Sequence, residues 1–242
     1  MTKPILETCL SPILLHQYDT KDTIVVIIDV FRATSTIAAA IHNGANEVIP
    51  IASVDECIQY KQILTDCITA GERDGKVAPG LEYGNSPLEY PKAFIENKTL
   101  VLTTTNGTKL LHMVKDSDTI ITGSFLNLDA VIQYLLKRNK KVLLGCAAWK
   151  DKVNMEDALF AGAVATALKE AFTIQCDASQ IVMSMYEQSQ KFETLLQYLE
   201  TSNHYTRLKN FGLLKDLQYC TTPNLHPVVP VYNGKSLIAA KD

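Results

Sequence analysis

A layered α/β/α architecture, with a mostly parallel or mixed sheet and a helix-rich C-terminal part, is predicted by three features of the sequence. Strand-length runs of Val, Ile and Leu alternate with helical patterns between Ile24 and Cys146, as in α/β units whose sheet is covered on both faces. The interiors of those runs are plain hydrocarbon, whereas their C-terminal ends are polar. After Asn154 the alternation stops and helical segments take over.

In chain order, the β-rich runs cover 24–30, 47–52, 67–70, 99–103, 119–123 and 141–146. Helical patterns fill 34–42, 54–64, 108–114 and 127–137, and Gly44 in "NGANEV" suits the position just past a helix end. "NMEDALFAGAVATALKEAF" reads as one long helix, with further helices through about Leu217. A late "VVPVY" reads as an edge strand, because Pro230 cannot donate to a ladder. The stretch 71–90 is the longest irregular connection, and a loop of that length in a compact domain is usually functional or mobile. Residues 1–242 are expected to form one unit. The alternative is a division into 1–150, which holds most of the polar motifs, and a helical 151–242.

Composition narrows the function classes. Hydrophobic residues make up 47% and charged residues 20%, the balance of an ordinary soluble globular protein. A formal charge of -3 gives no basic footprint, which argues against a nucleic-acid partner. The apolar runs are too short to span a membrane. "MTKPILETCLSPILL" carries Glu7 and two prolines and lacks a signal-peptide layout, so a cytoplasmic location is expected. Six cysteines without a Cys-x-x-Cys pair read as reduced, buried thiols rather than a disulfide scaffold or zinc cage.

The chemistry is expected at the strand ends. The first long strand ends in Asp29 and leads through Arg32 to Thr34, Ser35 and Thr36. The third leads into Gly71-Glu72-Arg73 and the fourth into Thr104-Thr105-Asn106-Gly107-Thr108. The fifth leads into Ser124 and Asn127, and the sixth ends in Cys146. In an open parallel sheet such ends share one rim, where α/β proteins bind ligands. Hydroxyl residues at helix entries favour an anion, through unpaired N–H groups and the helix dipole. Gly107 lets backbone approach closely, and Arg32 and Arg73 can grip an anion bidentately. Asp29 and Glu72 beside that anion would repel it without a hard cation between them, and Mg²⁺ suits the role. The site therefore reads as Mg²⁺-assisted chemistry on a small, multiply charged anion.

Blander readings stand beside this one. Hydroxyls at helix starts serve as N-caps, Asn154 with Asp157 resembles a capping pair, and Asp29 with Arg32 could be a local ion pair. His16, His42 and His226 read as structural. Familiar phosphate machinery is missing: there is no P-loop and no dinucleotide fingerprint. Val30 and Phe31 after Asp29 exclude an Asp-x-Asp phosphatase motif, and Lys152 stands six residues after Cys146 where a cysteine-phosphatase loop has Arg.

"DVFRATST", "AGERDG", "GNSPLEY", "LVLTTTNGT", "GSFLN", the "ED" of "NMEDALFAGA" and a late "YC" occur in that order. Together they resemble the 2-phosphosulfolactate phosphatases over about residues 10–231. The resemblance implies an α/β phosphatase that hydrolyses (R)-2-phospho-3-sulfolactate with Mg²⁺, on the route to coenzyme M. It places the family's motifs on Asp29, Val30, Arg32, Ala33 and Thr34, on Gly71, Glu72 and Arg73, and on Gly84, Asn85, Ser86 and Pro87. It also places them on Thr104 to Thr108 and on Glu156 and Asp157. Where the family pattern has Cys-Ala-Gly-Thr, this chain has Cys146-Ala147-Ala148-Trp149, which is expected to reshape one wall of the substrate pocket.

On this reading Asp29, Arg32, Glu72 and Arg73 are catalytic, and Asp29, Glu72 and Asp157 hold Mg²⁺. The substrate would be bound by Thr34, Ser35, Asn85, Ser86, the 104–108 segment, Ser124, Asn127, Cys146 and His204. His204 would serve as general acid for the leaving alkoxide. Water attack and direct attack by Asp29 are both open. Two other classes compete: a non-catalytic sensor of a phosphorylated or sulfonated metabolite, and a phosphotransferase with an acceptor other than water. A homodimer is expected from the many apolar helix faces.

Overall fold

A computed structural model of the chain describes residues 2–64, 66–73, 75–104 and 107–241. The apolar runs become strands of one mixed sheet: β1 (Leu6–Cys9), β2 (Ile24–Ile28), β3 (Glu47–Ile51), β4 (Cys67–Arg73), β5 (Lys76–Val77), β6 (Thr99–Thr103), β7 (Thr119–Gly123), β8 (Val142–Cys146), β9 (Pro230–Tyr232) and β10 (Leu237–Ala239). Their spatial order is β1-β8-β2-β7-β9-β10-β3-β6-β4-β5. The helices are α1 (Ala33–His42), α2 (Val54–Ile63), α3 (Lys92–Ile95), α4 (Gly107–Met113), α5 (Leu128–Arg138), α6 (Met155–Leu168), α7 (Asp177–Ser189), α8 (Leu195–Leu199), α9 (Asn203–Asn210) and α10 (Leu214–Cys220).

Two parallel blocks make up the sheet. In the first, β2 lies between β7 and β8 with Ile28 level with Gly123 and with Cys146, and β1 pairs with β8 on the far side. In the second, β6 lies between β3 and β4, with Thr103 level with Gly71. These registers bring Asp29 to the end of the first block, and Glu72 and Thr104 to the end of the second.

The join between the blocks differs from the sequence expectation. β9 is interior, pairing antiparallel with β7 and with β10, and β10 pairs antiparallel with β3. Pro230 is tolerated there because it is the first residue of a three-residue strand, where a missing N–H interrupts no long ladder. Followed along the ladder, this hairpin makes the two blocks run in opposite senses. The polar strand ends therefore do not share the rim of one parallel sheet, and the cleft described below is formed between blocks. The 71–90 connection is also more ordered than expected: β4 continues to Arg73, and β5 returns along it with Glu72 opposite Val77.

Both faces of both blocks are covered, because strand side chains alternate. Ile24, Val26 and Ile28 of β2 enter a core shared with α5 and α6, while Val25 and Ile27 enter one shared with Leu110 and Leu111 of α4. Each such fully buried Val or Ile stabilises the fold by about 2 kcal/mol. At the end of α1, Gly44 has φ +95°, and the Gly44 and Ala45 N–H groups bond to the Ile41 and Ala40 carbonyls. That closes the helix as the sequence predicts. No helix among the described residues is long and apolar enough to cross a membrane.

Candidate active site

Where β2 ends, the chain turns directly into α1. The turn is held by hydrogen bonds from the Asp29 N–H to Thr34 Oγ1 (3.1 Å) and from the Thr34 N–H to the Asp29 carbonyl (2.9 Å). Ser35 Oγ donates to the Val30 carbonyl at 2.8 Å. Both hydroxyls thus brace the loop that carries Asp29. The loop is fixed from behind by Asp157, whose oxygens accept the Val30 N–H (2.8 Å) and the Ala148 N–H (3.3 Å).

Asp29 faces a cavity of about 310 Å³, near the lower end of the range for small-molecule sites. Asp29, Arg32, Asn85 and Thr104 form its buried floor, and Glu72, Arg73, Trp149, Lys150, His204, Arg207 and Phe211 line its less buried part. Burial pushes the Asp29 carboxyl up to about 6, against the pull of His204 and the Ala33 N–H, with Glu156 and Glu72 adding to the rise. The start of α4 also closes on Asp29. A Cβ on Gly107 would lie 3.2 Å from Asp29 Oδ2 and 3.4 Å from Thr104 Oγ1. Thr104 in turn accepts the Thr108 N–H at 3.3 Å. The first turns of α1 and α4 therefore meet at this carboxylate.

Arg32 does not pair with Asp29. Its Nη1 forms a buried ion pair with Asp216 of α10, whose other oxygen accepts from Ser86 Oγ at 3.0 Å. On the β4–β5 hairpin, Glu72 Oε2 accepts the Gly75 N–H at 2.8 Å, and Arg73 Nη1 donates to the Glu72 carbonyl at 2.7 Å. His204 Nδ1 lies 2.5 Å from Oε1 of Glu156, which is fully buried. That contact leaves Nε2 as the free ring nitrogen, and Phe31 meets the ring edge-on. Arg207 stacks on the Trp149 ring at 3.7 Å, with Lys150 Nζ at 4.7 Å.

Of the residues singled out in the sequence, Asp29, Arg32, Glu72, Arg73, Asn85, Thr104 and His204 line one cleft. Several others do not. Thr34, Gly107 and Thr108 border a small apolar cavity beneath the floor. Ser35 and Ser86 brace other site residues. Ser124 and Asn127 form a capping box, and the Asn127 amide is further bonded to the Thr122 and Val228 carbonyls. Cys146 is fully buried, with its thiol raised well above the ordinary range by burial. Thr105 and Asn106 lie outside the described residues. Asp157 is no capping partner for Asn154, and it sits behind Asp29 rather than in the cleft. Burial, with Glu156 and Asp29 nearby, raises its carboxyl well above the usual value. Sequence reasoning missed Asp216, Lys150 and Arg207, and did not give Glu156 its role behind His204. They sit on helices or a turn where no spacing marks them.

The donor set suits a hard cation only in part. No group of three His, Cys, Asp or Glu side chains among the described residues is arranged to hold a metal ion. Asp29 and Glu72 nonetheless share the cleft with Asn85, whose buried Oδ1 has no hydrogen-bond partner. Two carboxylates and an amide oxygen fit Mg²⁺, which keeps several waters of its own.

Four cations, Arg32, Arg73, Lys150 and Arg207, face two carboxylates in a cleft at paired helix N-termini. Fold and cleft together define an α/β protein whose cleft is suited to a small, multiply charged anion. The family model described as 2-phosphosulpholactate phosphatase matches residues 9–235, and the chain belongs to that family of phosphoric monoester hydrolases. It is 40% identical over 210 residues to the probable 2-phosphosulfolactate phosphatase of Thermotoga petrophila, covering 86% of this chain and 89% of that one. The protein of the same name from Caldanaerobacter subterraneus subsp. tengcongensis is 36% identical over 222 residues, with 89% and 90% covered. One from Clostridium perfringens is 34% identical over 214 residues, with 86% and 85% covered.

Proposed function

We propose that this protein hydrolyses the phosphate monoester of a 2-hydroxy acid, (R)-2-phospho-3-sulfolactate, to 3-sulfolactate and phosphate, with Mg²⁺. The observation that carries the reading is the position of Asp29: a buried carboxylate where two helix N-termini meet, beside an arginine locked by Asp216, itself held by Ser86. Family membership supplies the substrate class.

Asp29 and Glu72, with the Asn85 amide oxygen, are the groups that would hold Mg²⁺. The ion would supply Lewis-acid polarisation of a phosphoryl oxygen and orientation of the attacking water. Arg32 meets the equatorial oxygens as a preset donor, since Asp216, itself held by Ser86, has already fixed its guanidinium and little reorganisation is needed as charge shifts. The Thr104 hydroxyl adds a donor on the same side. His204, with Nδ1 held by Glu156, can present an Nε2 proton to the departing alkoxide. Asp29 is the residue placed for the competing route, direct attack to give an aspartyl-phosphate. Rapid quenching during turnover separates the routes, because only the second leaves phosphate on the protein.

The test is release of inorganic phosphate from 2-phospho-3-sulfolactate, with Mg²⁺ and again with EDTA. Release that needs the metal is the expected result. Tight binding of the ester without release would replace the hydrolase with the sensor reading.

A further inference from the structure

The turn after β8 carries more structure than the reaction requires. Ala148, Lys150 and Asp151 all have positive φ, at 58°, 50° and 61°. Left-handed backbone at three non-glycine residues within four positions persists only where the surroundings over-determine it, and such strain gathers at binding sites. The surroundings here do so. Trp149 and Lys152 exchange two backbone hydrogen bonds (2.9 and 3.0 Å), and Ser11 Oγ donates to the Asp151 carbonyl. Lys109 Nζ lies 2.8 Å from Asp151 Oδ1. What this rigid turn displays is the Trp149 ring, half-buried in the cleft wall with the Arg207 guanidinium stacked on it and Lys150 Nζ close by.

Burial grades the cleft from one end to the other. Asp29 and Arg32 are 8% and 5% exposed, whereas Trp149 and Arg207 are of intermediate exposure and Lys150 is exposed. A phosphoryl group at the floor leaves the rest of a small ester pointing towards the tryptophan. Lys150 has no carboxylate partner among the described residues. A stacked guanidinium and an ammonium on one aromatic wall suit a single negative charge displayed on oxygen atoms.

On the basis of the phosphatase reading, we propose that Trp149, Lys150 and Arg207 form the subsite for the ester's acid group farthest from phosphorus, and so set the choice among 2-hydroxy-acid phosphates. Arg207 and Lys150 contact that group, and Trp149 holds the two cations in place.

The experiment compares 2-phospho-3-sulfolactate with 2-phospholactate, which lacks the remote acid. It uses the wild-type chain and the variants Arg207→Gln and Lys150→Gln. The ratio of the two kcat/KM values is expected to fall about tenfold or more in each variant, the loss of one charge-assisted contact made by only one ester. Parallel loss on both esters, with the ratio within about twofold of wild type, would overturn the proposal, since structural damage gives that pattern. Trp149 is the only tryptophan in the chain, so its emission reports on the subsite without turnover. If the wild-type chain releases phosphate from neither ester, the hydrolase reading fails and the subsite is judged by titrating 3-sulfolactate. A change in emission, with weaker binding in Lys150→Gln, supports the subsite. An unresponsive tryptophan rejects it.

Discussion

Burial holds the Asp29 carboxyl near 6, about two units above an ordinary aspartate, and that shift has a cost. A carboxyl that binds its proton more tightly when folded destabilises the native state once both states are ionised. The cost is absent below about pH 4, grows as pH rises towards 6, and is complete above 6. Asp29→Asn is therefore expected to raise stability in metal-free buffer by about 2–3 kcal/mol above pH 6. The gain should vanish near pH 4, as read by urea unfolding at both pH values. A variant destabilised at pH 8 would contradict the assignment of the shift to desolvation. At the proposed Mg²⁺ site, proton competition at Asp29 would weaken metal binding as pH falls below 6. At this scale the sequence was informative where a polar residue ends an apolar strand, as at Asp29, Glu72 and Thr104. It was silent where the polar residue lies on a helix late in the chain. Asp216 reaches Arg32 across 184 positions and Glu156 reaches His204 across 48, and no local pattern encodes such pairings.

Helix α6 shows how an element positions the site without touching substrate. It lies against β2 and β8 on one side and α7 on the other, so it is buried nearly all round. Its first turn supplies both Glu156 and Asp157. The close contact with α7 depends on Gly162: a Cβ there would lie 2.1 Å from the Val182 carbonyl oxygen and 2.7 Å from its carbon. Gly162→Ala must push α7 away and is expected to cost about 1–3 kcal/mol, visible as a lower Tm. No change in Tm would show that the two helices slide freely. The six long strands and helices α1, α2, α4 and α5 were legible from periodicity, because Val and Ile runs bounded by polar ends have few alternatives, whereas the four-residue α3 was not. β1 and β10 were not, since "LETC" carries a glutamate and "LIA" is only three residues long. Pro230 misled in a definite way: proline excludes the interior of a strand, and β9 begins with it.

Over the whole molecule, the decisive feature is the β9–β10 hairpin between two parallel blocks of opposite sense. The first block brings Asp29 and Arg32, the second brings Glu72, Arg73 and Thr104, and the C-terminal helices bring His204, Arg207 and Asp216. Convergence of Asp29, Arg32, Glu72, Arg73 and Thr104 was foreseeable from strand-end chemistry, whereas the arrival of Arg207 and Asp216 from the late helices was not. Nor was the way they converge, because a short hairpin late in the chain reverses the sheet and no early residue signals it. On the proposed function, this cleft hydrolyses a phosphate ester through Asp29. The most direct test of that role measures phosphate release from 2-phospho-3-sulfolactate by wild-type and Asp29→Asn protein, side by side with Mg²⁺. Release by the wild type is expected, with a rate at least about a hundredfold lower in the variant, although the variant is expected to be the more stable protein. Undiminished release by Asp29→Asn would contradict that role.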